Sequence, residues 1–147
     1  MREQPAPVSR DAIDAANRRI VEAIAALPDC ASPRFWPAVT EQGAALPPEV
    51  LVHVVRACRA RGLSAEMERA ADELIGRAYP IAEGIVRRTL LSRPQDREDA
   101  IRDAFAAMWR YIVEDNPFWE RNFVGALNAV CISACRRYLA RKRSDVP

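Results

Sequence analysis

The sequence contains few of the residues on which most enzyme sites depend. Its 147 residues include one histidine and five glycines. It has no glycine-rich phosphate loop and no evident pairing of a nucleophile with a base, so the usual catalytic inventories are missing. Carboxylates are plentiful, but many have an arginine one helical turn away, as is typical of exposed helices. We therefore expect neither an enzyme nor a bound cofactor or metal.

Lysine is almost absent. Lys142 is the only one, so the other 21 of the 22 cations are arginine. The net charge is only +2, so any interaction with nucleic acid must depend on where the cations lie. Arginine suits phosphates and stacked bases. A genome-wide bias toward arginine explains the same count equally well.

Long apolar runs and paired cysteine motifs are also missing. No run of about 18 apolar residues occurs, so no membrane span is expected. The start MREQPAPVSRD has no apolar signal core, which predicts a cytoplasmic protein. The four cysteines form no zinc-type pair. Cys131 and Cys135, one helical turn apart, are expected to be small buried residues rather than a metal or redox pair.

Strand-like alternation is absent, whereas apolar residues recur at helical spacing. The prediction is an all-α bundle of about five helices. Three parts are expected: an N-terminal helix with a Pro- and Ala-rich linker, a helical domain and a tail, at 1–46, 47–143 and 144–147. The helices are expected at about 10–27, from Pro47–Pro48 to Gly62, 65–91, 94–114 and 120–142. Residues 28–48 are predicted to form a linker with at most a short turn at Phe35 and Trp36.

Two local signals refine these helices. Pro80 predicts a kink or a short break in the third helix. The stretch Ser92–Gln95 predicts a capping box at the start of the fourth. The apolar stripe of that fourth helix is Ile101, Phe105, Met108 and Ile112.

The fourth helix begins with a cluster of acidic residues. They lie within eight positions: Asp96, Glu98, Asp99 and Asp103. One interpretation is structural, because carboxylates near a helix N-terminus stabilise the helix dipole. The other reading is an acidic patch that docks on a basic partner.

The end of the chain combines aromatic and cationic residues. Phe118 and Trp119 are adjacent in a polar loop, so either one ring folds back on the core or both contact a partner. Cations follow at Arg121, Arg136, Arg137, Arg141, Lys142 and Arg143. Rings beside cations suit single-stranded nucleic acid, which needs stacking and phosphate neutralisation. Cations at a helix C-terminus also stabilise the dipole.

The order of these pieces resembles region 2 of the RNA polymerase sigma-70 family, particularly its extracytoplasmic-function group. The run RAYPIAEGIVRRTLLSRPQDREDAIRDAFAAMWRYI carries most of the likeness. Further matches are Phe123, Tyr138–Leu139 and 141–143. The likeness covers about residues 70–143, roughly half of the chain. It implies a three-helix core typical of region 2.

The resemblance also implies partners and sites. The fourth helix would bind the clamp helices of the polymerase β′ subunit, through Asp96, Asp99, Arg102, Asp103, Phe105 and Trp109. The loop at 115–122 would capture a flipped base of the −10 promoter element. The expected DNA-binding residues are Phe118, Trp119, Arg121, Asn122, Arg136, Arg137, Arg141, Lys142 and Arg143. The implied mechanism is binding and strand opening, not catalysis. An anti-sigma factor or another regulatory protein is a further candidate partner.

The chain departs from the family pattern at several positions. Arg102 replaces a characteristic Gln, Ala126 replaces a Trp, and Arg137 replaces an Asp, while residues 131–133 replace Ala-Arg-Asn. Two alternatives therefore stay open. One is a protein–protein adaptor on this scaffold that does not bind DNA. The other is a helical enzyme with an unrecognised site.

Overall fold

The computed structural model describes residues 9–144, without the side chains of Ala44 and of residues 142–144. This part of the chain is helical and contains no strand, so the all-α prediction is confirmed. The described residues form seven α-helices rather than about five: α1 Arg10–Ala26, α2 Phe35–Gln42, α3 Pro48–Ala60, α4 Ser64–Thr89, α5 Arg97–Val113, α6 Phe118–Arg121 and α7 Phe123–Ser144. The two additional helices lie in segments that were expected to be a linker and a loop.

Helix α1 begins where a serine caps it. The Ser9 hydroxyl accepts a hydrogen bond from the Ala12 amide at 3.1 Å, which satisfies one of the free amides of the first turn. Ile20 is buried, but Ile13, two helical turns earlier, is 49% exposed. The C-terminal half of α1 therefore makes most of the contact with the core.

Helix α2 corrects the linker prediction. Phe35 and Val39 are buried in the same apolar core as α3 and α4, and this burial stabilises a helix that the local sequence disfavours. Pro37 is compatible because it lies in the first turn, where its missing N–H has no helical partner. A 3₁₀ turn over Gly43–Ala45 follows, and Leu46 is fully buried.

Helix α3 is the central element, and its prediction is confirmed. It begins at Pro48, and the apolar residues that recur at helical spacing are all buried: Val50, Leu51, Val54, Val55 and Cys58. It ends in a Schellman motif, because Gly62 is left-handed (φ 70°) and the Leu63 amide donates to the Cys58 carbonyl at 2.9 Å. Helix α3 packs mainly on α4.

Of the kink or short break predicted at Pro80, the break does not occur, because helix α4 runs through this residue. Proline removes the hydrogen bond to the carbonyl four residues earlier, which here belongs to Gly76. Both Pro80 and Gly76 are exposed, so water can solvate that carbonyl. The missing bond therefore does not interrupt the helix.

The predicted capping box at Ser92–Gln95 is wrong. A 3₁₀ turn over Pro94–Asp96 precedes α5, and neither the turn nor the helix has a side-chain cap. Arg93 occupies the cap position of the turn, and its guanidinium instead donates to the Tyr138 carbonyl at 2.7 Å. Arg97 donates to the carbonyls of Leu90 and Leu91, at 3.1 and 2.9 Å, which satisfies the end of α4.

Helices α5 and α7 pack against each other and against α4. Ile101, Met108 and Ile112 of the predicted stripe are buried, whereas Phe105 is half-buried. The last helix begins at Phe123 rather than 120, because the short helix α6 precedes it. The prediction of buried cysteines is confirmed for Cys131 and Cys135; Cys58 is buried as well, and Cys30 is half-buried.

Candidate nucleic-acid interface

A pocket of about 500 Å³ lies between α5, the turn at 114–117, α6 and α7. We call it the α5–α7 pocket. It is lined by Ala107, Arg110, Tyr111, Asn116, Phe118, Trp119, Ala126, Ala129, Val130, Ser133 and Arg137. Small apolar side chains, aromatic rings, two neutral polar groups and two cations thus surround one cavity. Its volume lies in the range of small-ligand sites.

The turn that forms one wall of the pocket is a second Schellman motif. The Asn116 amide donates to the Tyr111 carbonyl at 3.1 Å, and the Asp115 amide donates to the Ile112 carbonyl at 3.2 Å. Asp115 has φ 56°, in the left-handed region that favours glycine. The chain therefore reverses sharply after α5 and brings Asn116 to the pocket.

Asn116 also determines how α6 begins. Its side-chain oxygen Oδ1 accepts a hydrogen bond from the Phe118 amide at 3.0 Å. This Asx turn is a local alternative to a backbone hydrogen bond. It places Phe118 on the rim of the pocket, where its side chain is 49% exposed.

Trp119 does not share the exposure of Phe118. It is 3% exposed and stacks on Tyr111, with ring centroids 6.3 Å apart and an interplanar angle of 21°. Trp119 and Phe123 also pack edge to face, with ring centroids 5.6 Å apart. Of the two adjacent rings, Trp119 folds back on the core, so in this structure only Phe118 offers an open face for stacking.

The two polar residues before α7 differ in what they can contact. Arg121 is exposed. Asn122 is also exposed, but its Oδ1 accepts a hydrogen bond from the Gly125 amide at 3.0 Å, as a helix cap does. Asn122 therefore has a structural role at the start of α7, whatever else it contacts.

The cations of α7 lie toward its C-terminal end. Arg136 and Arg137 are exposed, and Arg137 is also part of the pocket lining. The exposed Arg141 guanidinium lies 5.3 Å from the centroid of the Tyr138 ring. The side chains of Lys142 and Arg143 fall outside the described part of the chain. The pocket and the cationic surface are thus continuous at Arg137.

Of the acidic residues in and just before α5, some contact other residues of the chain and others are exposed to solvent. Asp96 pairs with Arg93 at 2.7 Å, and Asp103 accepts a hydrogen bond from the Tyr138 hydroxyl at 2.8 Å. That bond to a carboxylate, with burial, raises the pKa of Tyr138. Asp99 and Arg102 are exposed and lie 3.8 Å apart. This second group, together with the exposed Glu98, is presented openly on the surface.

The aromatic residues assigned to the polymerase contact are half-buried. Phe105 stacks on Tyr79 of α4, with centroids 6.2 Å apart and an angle of 18°, and Tyr79 is 46% exposed. Trp109 packs against the core. The surface formed by α4 and α5 therefore has an apolar part beside Asp99 and Arg102.

Sequence reasoning missed several residues that line the pocket, including Arg110, Tyr111 and Ser133. A signal was available on α7, because Ala126, Val130, Ser133 and Arg137 recur at helical spacing and share one face. That face has only small side chains before the arginine. Small residues along one helix face leave room for a cavity against the neighbouring helix.

Comparisons with known proteins give no match for this chain: no protein-family model, no curated protein and no solved structure matches it. Within residues 9–144, no three His, Cys, Asp or Glu side chains are grouped to hold a metal ion. Among the helices described, none has the length and apolarity to cross a membrane. The function must therefore be inferred from the pocket, its surroundings and the resemblance of the sequence.

Proposed function

We propose that this chain is a sigma-factor-like initiation protein that binds RNA polymerase core and the −10 promoter element and assists strand opening. The observation that carries the proposal is the α5–α7 pocket. It lies at the loop which the resemblance assigns to base capture, and it adjoins the cations of α7. The likeness in sequence and the position of a cavity are separate observations that support the same site.

The lining suits an unstacked base. A flipped base is flat and uncharged, with polar edges, and it is held by stacking and by hydrogen bonds to those edges. Phe118 offers an exposed ring, while Asn116 and Ser133 offer neutral donors and acceptors. Arg110 and Arg137 are placed to neutralise the adjoining phosphates. The site binds a base but has no group arranged for chemistry on it.

The polymerase contact is proposed along α5 at residues that do not line the pocket. Its members are Asp96, Asp99, Arg102, Asp103, Phe105 and Trp109. Asp99 and Arg102 supply the exposed charges, and the stacked Tyr79 and Phe105 rings supply apolar area nearby. An apolar centre flanked by charges is the usual make-up of a protein interface. Asp96 and Asp103 would act mainly by holding this surface in place.

The base pocket is tested by filling it. Ser133→Phe places a ring in the cavity without changing any charge, and we expect it to weaken binding of −10-like single-stranded DNA about tenfold. Asn128→Phe is the matched control, because Asn128 is an exposed α7 residue outside the pocket lining. Equal affinities for the two variants would contradict base capture in this pocket.

The polymerase contact is tested by reversing one exposed charge. Asp99→Arg is expected to reduce capture of polymerase core in a pull-down by about tenfold, because a repulsive charge then lies at the contact. Asp14→Arg makes the same change on the exposed surface of α1 and should have no effect. Undiminished capture by Asp99→Arg would exclude this surface as the contact.

A second candidate is a protein–protein adaptor on the same scaffold. The observation favouring it is that Asp96 and Asp103 are occupied by contacts within the chain. Leu91, at 72% exposure beside the end of α4, adds apolar surface for a different protein. An adaptor would bind neither polymerase core nor single-stranded DNA, so the two experiments above separate the candidates.

A further inference from the structure

Arg56 occupies an unusual place in the middle of α3. Val52 and Val55 beside it are buried and Ala57 is half-buried, and its own side chain is only 11% exposed. The guanidinium crosses to the end of α5. There Nε donates to the Ile112 carbonyl at 2.9 Å, and Nη2 donates to the Asn116 carbonyl at 2.7 Å and to the Tyr111 carbonyl at 3.4 Å.

The same guanidinium also contacts two carboxylates. Nη1 lies 3.2 Å from Glu120 Oε1, and Nε lies 3.6 Å from Asp115 Oδ1. Asn116 and Glu120 stand on either side of Phe118 in the chain. One half-buried cation thus holds the backbone before the exposed ring and the side chain after it, while Arg56 itself does not line the pocket.

The turn at 114–117 needs such support from outside. Tyr111 and Ile112 belong to the last turn of α5; each carbonyl accepts one hydrogen bond from the Schellman turn, and Arg56 donates to its second lone pair. Asp115 holds a left-handed backbone that an L-residue adopts at a cost, and such positions persist when their surroundings fix them. Arginine is suited to the task, because its planar fork reaches several acceptors in fixed directions and lysine has only a point charge.

We infer that Arg56 is a positioning residue for the base pocket: from α3, it holds Asn116 and Phe118 where an extruded base of single-stranded DNA can be gripped. This inference rests on the proposed function. It assigns a part in DNA recognition to a helix outside residues 70–143, the segment that carries the sequence resemblance. Arg56 acts through the turn and does not touch the base.

The test compares two arginines with matched structural roles in the full-length chain. Arg56→Lys keeps the charge but loses the fork. Arg77→Lys is the control, because Arg77 of α4 is also half-buried and donates to two carbonyls, those of Gly43 and Leu46, away from the pocket. Hydrogen exchange at residues 115–121 should accelerate about tenfold or more in Arg56→Lys and stay unchanged in Arg77→Lys.

Base capture is measured with a single-stranded DNA that is first selected from a random pool for binding to the wild-type protein. An abasic site is moved along it one nucleotide at a time. At the captured position the wild-type protein should lose about tenfold in affinity, which is the usual value of one stacked base. Arg56→Lys should bind the intact DNA about as weakly as it binds the abasic DNA. Arg77→Lys should keep the wild-type ratio between the affinities for intact and abasic DNA.

Three results would overturn the inference, and they differ. If Arg56→Lys kept the wild-type ratio between intact and abasic DNA, Arg56 would have no part in base capture, although the proposed function would stand. If the wild-type protein had no position sensitive to an abasic site, the proposed function would fail and the inference with it. An unchanged rate of hydrogen exchange at 115–121 in Arg56→Lys would also contradict the positioning role.

Discussion

Tyr138 of α7 donates a hydrogen bond of 2.8 Å to Asp103 of α5, which joins the two helices that form the longest walls of the α5–α7 pocket. The backbone of Tyr138 is held as well, because Arg93 donates to its carbonyl at 2.7 Å. The C-terminal third of α7 is thereby fixed to α5. Asp103, assigned by resemblance to the polymerase contact, also has this role inside the fold.

The hydroxyl of Tyr138 should contribute measurably to stability. Tyr138→Phe removes the bond to Asp103 and is expected to lower the free energy of unfolding by about 1 kcal/mol. Urea denaturation at neutral pH measures the change. Tyr79→Phe is the control, because that residue contacts Phe105 through its ring and is expected to change stability little. An unchanged midpoint for Tyr138→Phe would mean that water replaces the bond at no loss.

The same bond predicts a dependence on pH. Because the Asp103 carboxylate raises the pKa of Tyr138 above its ordinary value of 10.0, the folded state retains the proton longer than the unfolded state. The stabilisation is therefore complete below pH 10 and disappears as the pH rises through the raised pKa. The difference between wild type and Tyr138→Phe should shrink over that range.

The parts of the fold with a strong apolar period were predictable from the sequence. In α3 the apolar run lies between two prolines and a glycine, and each of these residues acts locally: Pro48 fits the first turn and Gly62 adopts a left-handed backbone. Local chemistry was sufficient there. The existence of α5 and α7 followed in the same way from apolar residues at helical spacing.

The parts that depend on distant contacts were not predictable. Helix α2 has two aromatic residues and a proline in its first turn, and it is stabilised by burying Phe35 and Val39 in a core formed by other helices. Likewise, nothing near Trp119 in the sequence specifies that it rather than Phe118 is buried. Arg56 contacts residues more than 50 positions away, and helical periodicity carries no information about such contacts.

The cations of α7 should determine how DNA binding depends on salt. Each neutralised phosphate of a single strand contributes about 0.7 to the slope of log affinity against log salt concentration. If Arg136 and Arg137 each contact a phosphate, the double change Arg136→Ala with Arg137→Ala should reduce that slope by about 1.4. Fluorescence anisotropy with a labelled single strand over a range of salt concentrations measures it.

A matched pair on α1 provides the control for that measurement. Arg18 and Arg19 are also adjacent and exposed, and they lie outside the proposed interface. Their replacement by Ala changes the net charge equally. If both double variants reduced the slope by the same amount, the effect would come from overall charge, and the cationic end of α7 would be only a solvated surface.

Replacement of Asp115 by glycine should stabilise the protein. Its φ of 56° is disfavoured for a residue with a Cβ, and its carboxylate, 79% exposed, lies 3.6 Å from Arg56 and can contribute little. We expect Asp115→Gly to raise the free energy of unfolding by about 0.5–1 kcal/mol. The converse change is Gly62→Ala, where φ is 70° and nothing lies within 4 Å of the added Cβ. It should destabilise by about 1 kcal/mol through the backbone alone.

The contrast between these two variants isolates the cause. Both positions occupy the same place in a Schellman motif, one at the end of α5 and the other at the end of α3. Thermal or urea unfolding of both proteins measures the pair. A loss of stability in Asp115→Gly would show that the carboxylate supports Arg56 more than the backbone cost opposes it.

Cys58 should make the protein less stable in alkaline solution. Burial, and then the neighbouring Cys30 thiol, raise the pKa of Cys58 from 9.0 to about 12. A raised pKa favours the protonated thiol in the folded state, so its contribution is complete below pH 9 and is lost as the pH rises toward 12. Under reducing conditions, the free energy of unfolding of the wild type should fall more steeply between pH 9 and about 11 than that of Cys58→Ala.

Cys30→Ala removes only the second cause of the raised pKa and should give an intermediate slope of the free energy of unfolding against pH. Identical slopes for wild type and Cys58→Ala would mean that the buried thiol ionises without opposing the fold.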